Sequence, residues 1–99
     1  MEITQYDVVI VNLDPAKGSE VRKKRPCVVV SPDEMNRNLN TVVIIPLTST
    51  LKPYPTRVPV YNKGKKGMAA VDQIRTIDKS RIAAVKERIN NEEISNLKR

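Results

Sequence analysis

The sequence predicts a small, mainly β domain, a partly open antiparallel barrel with a C-terminal helix packed on it. Three observations carry this expectation. β-Branched residues gather in short runs, Val8-Val9-Ile10-Val11, Val28-Val29-Val30 and Val42-Val43-Ile44-Ile45, the make-up of strands. Turn-forming Gly, Pro, Asn and Asp separate those runs at close intervals, as in a meander rather than an alternating strand–helix chain. The last ten residues carry helix signals instead. The chain has 99 residues, enough for one domain with a modest core, and residues 1–99 are read as a single unit.

In chain order, Tyr6 to Leu13 reads as a strand that ends at the turn pair Asp14-Pro15. A basic loop follows, with Arg22, Lys23, Lys24 and Arg25 in succession between Gly18 and Pro26. Gly18 permits a turn with positive φ, and Pro26 pushes Arg25 toward extended geometry at the lip of the next strand, Pro26 to Ser31. Ser31 is expected to cap a short helix with Pro32 in its first turn. Thr41 to Leu47 is almost wholly apolar, hence a strand covered on both faces, and it runs into the hydroxyl cluster Thr48-Ser49-Thr50. Two prolines stiffen the loop at Pro53 and Pro55. Arg57 to Tyr61 contains Pro59, which marks an edge strand. Residues 62–67 read as a basic glycine-rich turn and Met68 to Ile77 as one long strand. Asp78 to Arg81 turns into a final strand, Ile82 to Ile89. Asn90 or Asn91 then caps the terminal helix, with Glu92 and Glu93 near its positive end, Lys98 and Arg99 near its negative end, and Ile94 and Leu97 as its apolar stripe.

Composition narrows the chemistry. Eighteen Lys and Arg stand against eleven Asp and Glu, a formal charge of +7, which favours polyanionic partners. Three tyrosines are the only aromatic residues, so the core is aliphatic and stacking platforms for bases are sparse. The absence of histidine removes Ser-His-Asp and Cys-His catalysis, and with a single cysteine it leaves no donor set for zinc. Cys27, with no base to activate it, reads as a strand side chain, and no intrachain disulfide can form. No signal peptide is visible and no apolar run approaches the ~20 residues that span a bilayer. The expectation is a cytoplasmic protein with no membrane partner.

Three polar clusters fall at strand ends or in loops: Arg22 to Arg25, Thr48-Ser49-Thr50, and Asp72-Gln73 with Arg75-Thr76. The basic run alone does not separate a phosphate site from a solvated charged turn, although a rigidly held guanidinium suits phosphate oxygens well. Together, and in this order, the residues resemble a known family. Asp7-Val8-Val9, Leu13-Asp14-Pro15, Gly18-Ser19-Glu20, Arg25-Pro26, Pro46-Leu47-Thr48-Ser49 and Asp72-Gln73-Ile74-Arg75-Thr76-Ile77-Asp78-Lys79 are similar, colinearly, to the MazF/PemK (Kid) family of toxin endoribonucleases. The resemblance covers nearly the whole chain.

What the resemblance implies is specific. The fold would be a small SH3-like antiparallel barrel of the CcdB/MazF/Kid type with a C-terminal helix, assembled as a homodimer. The activity would be metal-independent, cofactor-free and sequence-specific cleavage of single-stranded RNA, mRNA in particular. A cognate acidic antitoxin would restrain it, and DNA operator contact would come only indirectly through that antitoxin. Position by position, Arg25 matches the family's catalytic arginine and Thr48 its catalytic threonine, with Asp72 a candidate base. Gly18, Ser19, Glu20, Arg22, Lys23, Lys24, Ser49, Gln73 and Arg75 are the candidate substrate-binding residues. One departure stands out. Kid-type members carry an arginine two residues before this aspartate, and here that position is Ala70. Two other functions fit a barrel of this kind: gyrase poisoning of the CcdB type, which needs no phosphate site, and nucleic-acid binding without catalysis.

Overall fold

A computed structural model describes residues 2–12, 24–48, 57–62 and 65–98. The elements are β1 (Asp7–Asn12), β2 (Lys24–Val29), α1 (Asp33–Asn38), β3 (Thr41–Thr48), β4 (Arg57–Asn62), β5 (Lys65–Ala70), β6 (Arg75–Asp78), β7 (Ile82–Arg88) and α2 (Asn91–Leu97). Two 3-10 turns, Val71–Gln73 and Lys79–Arg81, flank β6. All strand pairings are antiparallel, in the order β4-β5-β3-β2-β1-β7, with β6 also paired to β3. The sheet curls without closing, so the partly open barrel with its C-terminal helix is borne out.

β3 is the hub because it changes partner along one edge. Thr41 to Ile44 pair with β6, whereas Leu47 and Thr48 pair with β5. Its other edge holds β2, with Cys27 opposite Pro46 and Val29 opposite Ile44. Side chains alternate between faces along a strand, and each face of this sheet builds its own apolar cluster. Val9, Val11, Cys27, Val29, Val42, Ile44, Ile77 and Ile82 meet on one face. Val8, Val28, Ile45, Leu47, Val60 and Ala69 meet Ile94 of α2 on the other. Both faces of β2 and β3 are covered, which is why these strands read as continuous apolar runs.

Of the two candidate caps, Asn90 is the one that caps α2, and it does so in a capping box: Asn90 accepts from the Glu93 backbone, and Glu93 accepts from the Asn90 backbone. The second Glu93 oxygen accepts from the Tyr61 backbone N–H at 2.6 Å, so one buried carboxylate ties the helix to edge strand β4.

Four expectations need correction. β2 begins at Lys24, two residues before the expected start, so Arg25 at the strand's entrance is itself ladder-paired rather than a loop residue ahead of it. Ladder pairing of Val11 with Arg25 and Asn12 with Lys24 extends it. Ser31 does not cap α1, whose first turn makes no side-chain cap bond. Its hydroxyl instead bonds Asn36 and accepts from the Val43 backbone at 3.1 Å, tying the helix to β3. Residues 65–67 belong to β5 rather than to a turn. The long strand from Met68 to Ile77 is in fact two, broken at Val71–Gln73, because β3 can accept only one partner per edge position.

Candidate active site

Cys27 and Pro46 face each other across β2 and β3. Two residues beyond that pair, in opposite chain directions, stand Arg25 and Thr48. A step of two preserves the face, so both project on the side of Cys27, Val42 and Ile44. There the core ends. Cys27 is fully buried whereas Arg25 is exposed and Thr48 half-buried. The strand ladders hold both backbones, so the guanidinium and the hydroxyl emerge from a paired, positioned base.

β5 flanks Thr48 on its other edge, where Met68 opposes it. Gly67 comes close to the same point: a Cβ added there would stand 3.1 Å from the Thr48 carbonyl oxygen. The glycine lets β5 approach the end of β3 tightly, which sets where Thr48 sits.

Arg75, opposite Ile44 on β6, is the second exposed arginine of this face. Both guanidiniums reach the surroundings of Cys27. Burial pushes the Cys27 thiol up to about 12, while the positive charges of Arg25 and Arg75 act in the opposite direction. The thiol is therefore a neutral core group, in line with its reading as a strand side chain and not a nucleophile.

Asp72 lies in the 3-10 turn that packs against both β3 and β4. Arg75, in the same polar cluster of the sequence, is not its partner. Arg57, the first residue of β4, holds it, with Nε 3.2 Å from Oδ1 and Nη2 3.5 Å from Oδ2. Arg57 directly opposes Ala70 across the β4–β5 ladder. The arginine missing two residues before the aspartate thus has a counterpart on the neighbouring strand. Nothing within Met68 to Asp78 signals Arg57. Only pairing the two strands from Asn62 and Lys65 outward places it there.

Lys24 and Gln73 are also exposed, Lys24 one residue before Arg25 and Gln73 one after Asp72. Gly18, Ser19, Glu20, Arg22, Lys23 and Ser49 lie outside the described residues. Among the described residues no group of three or more His, Cys, Asp and Glu gathers as a metal site would, and no helix is long and apolar enough to cross a membrane.

Residues 4–99 match the model of the PemK-like, MazF-like toxin of type II toxin–antitoxin systems. The chain belongs to this family. It is 34% identical over 93 residues to the endoribonuclease toxin MazF of Escherichia coli K12, covering 93% of this chain and 84% of that one. The MazE–MazF crystal structure (form II) from Deinococcus radiodurans superposes with a TM-score of 0.85 at 25% identity, covering 99% and 90% of the two chains. An endoribonuclease in complex with its cognate antitoxin from a mycobacterial species gives 0.81 at 22% identity, over 97% and 87%. That last likeness speaks for the fold alone.

Proposed function

We propose that this chain is a sequence-specific, metal-independent endoribonuclease that cleaves single-stranded RNA, mRNA in particular. The observation that carries the reading is the placement of Arg25 and Thr48 on one face at the ends of β2 and β3, with Arg75 further along the same face on β6. A histidine-free site suits a substrate that brings its own nucleophile. The ribose 2′-hydroxyl attacks the adjacent phosphorus, the P–O5′ bond breaks, Arg25 gives a proton to the departing O5′ and regains one from water, and the products are a 2′,3′-cyclic phosphate and a 5′-hydroxyl. Arg25 stabilises the charge that grows on the phosphorane oxygens, and Thr48 supplies a hydroxyl donor to the same centre. Asp72 takes the 2′-hydroxyl proton. Arginine is a poor acceptor for it, because the guanidinium is already protonated at neutral pH.

Lys24 and Arg75, with Arg22 and Lys23 nearby in the chain, hold the RNA backbone, and Gly18, Ser19, Glu20, Ser49 and Gln73 belong to the same binding region. The chain works in the cytoplasm as a homodimer. A cognate antitoxin with an acidic tail restrains it, drawn in by the +7 charge, and operator DNA is contacted only through that antitoxin. Support comes from the family match and from the MazE–MazF likeness. The deciding experiment is incubation with a long single-stranded RNA followed by end-group analysis. Fragments with cyclic phosphate and 5′-hydroxyl ends are expected; intact RNA would overturn the assignment.

A further inference from the structure

Asp72 is a liability on a face meant for a polyanion. It is exposed, and its turn packs against β3 between the stretch that pairs with β5 at Leu47 and Thr48 and the stretch that pairs with β6 up to Ile44. An uncancelled carboxylate there would repel every phosphate that approached Arg25. The β4–β5 hairpin answers this with Arg57. Ala70, the residue opposite Arg57, presents only a methyl group, so the long arginine stem can cross β5 and bring two of its nitrogens to the two Asp72 oxygens. The Arg57 side chain is only 14% exposed against 39% for Asp72. The cation is therefore sheltered behind the anion instead of being offered to solvent.

We propose that Arg57 is a positioning residue of the RNA site: it cancels the Asp72 charge and fixes that carboxylate's direction, so that RNA phosphate can dock beside it. The inference rests on the endoribonuclease reading. It assigns Arg57 no contact with the substrate. As a stabilising ion pair it would matter little, since half-exposed pairs contribute about 0–1 kcal/mol. Its effect belongs to binding.

The test measures the affinity of an RNA whose scissile position carries a 2′-deoxy residue, so that binding is read without cleavage, across a salt series. Arg57→Ala should weaken binding about fivefold at low salt, the scale of one uncompensated charge. Adding Asp72→Asn to that variant should restore affinity to within about twofold of wild type. Asp72→Asn alone should bind at least as tightly as wild type, a readout that does not depend on how well Arg57→Ala folds. Weak binding that Asp72→Asn fails to rescue, with a salt slope shallower by about 0.7, would make Arg57 a direct phosphate contact and overturn the proposal. Wild-type affinity in Arg57→Ala, or weaker binding in Asp72→Asn, would overturn it as well. In each of these cases a wild-type chain that still cleaves RNA leaves the endoribonuclease reading standing. A wild-type chain that neither binds nor cleaves RNA removes both.

Discussion

Arg25 and Thr48 stand on neighbouring strands, each two residues beyond the facing pair Cys27 and Pro46 and on the same side of the sheet. The relationship brings a cation and a hydroxyl, both on ladder-held backbone, to the point where the buried core gives way to solvent. Arg25→Ala should abolish RNA cleavage, and Thr48→Ala should slow it by at least roughly a hundredfold, the scale for one lost preorganised donor. Both variants should unfold within a few degrees of wild type, because neither side chain is a core residue. Wild-type cleavage by Arg25→Ala would show that the face is not the catalytic one.

The nucleophile sits on the substrate in this mechanism. Cleavage should therefore persist in excess EDTA and cease when the nucleotide 5′ to the scissile bond is 2′-deoxy. Efficient cutting of that deoxy substrate would mean that water attacks instead.

Gly67 sets the position of Thr48 by close approach. A methyl group there would stand 3.1 Å from a backbone carbonyl oxygen, which cannot rotate away as a side-chain end can. Gly67→Ala should displace the end of β3 by a few tenths of an ångström and cut the cleavage rate about tenfold, given how steeply rates depend on such alignment. Steady-state kinetics beside a thermal melt will check this. A lowered melting temperature with unchanged specific activity would leave Gly67 a packing residue alone.

Cys27 has a thiol whose pKa burial raises from 9.0 to about 12. A group whose folded pKa lies above its unfolded value contributes stability that is complete below the unfolded pKa and is lost as pH rises toward the folded one. The advantage of wild type over Cys27→Ala should therefore be constant below pH 9 and shrink between pH 9 and 12, by at most about 1.4 kcal/mol per pH unit. Denaturant melts of both proteins across that window measure it. In the native state at neutral pH, iodoacetamide should leave the thiol unmodified.

Glu93 accepts from the Asn90 backbone at 3.0 Å and the Tyr61 backbone at 2.6 Å while 5% exposed. Glu93→Ala should cost about 2 kcal/mol through two stranded donors and a lost capping box. Glu93→Gln, which keeps one acceptor oxygen, should cost less. Equal stability for all three proteins would leave α2 held by Ile94 and Leu97 packing alone.

Much of the molecule was legible in the chain because its signals are local. Runs such as Val42-Val43-Ile44-Ile45 declare strands through β-branching and shared burial on both faces, and Asn90 with Glu93 declares a helix start through hydrogen bonds three residues apart. The colinear segments between Asp7 and Lys79, taken together, likewise sufficed to show the family resemblance. Three features depend on which strands lie side by side, and no local signal encodes that. Arg25 is a strand residue because β1 extends far enough to pair with it. The run from Met68 to Ile77 breaks because β3 offers its edge first to β5 and then to β6. Asp72 meets Arg57, fifteen residues earlier in the chain, because the β4–β5 register sets Arg57 opposite Ala70. Propensity acts within a few residues, whereas register is a collective choice made when two apolar faces are buried at once. The strands and the helix cap belong to the sequence alone, and the company Asp72 keeps belongs to the tertiary structure.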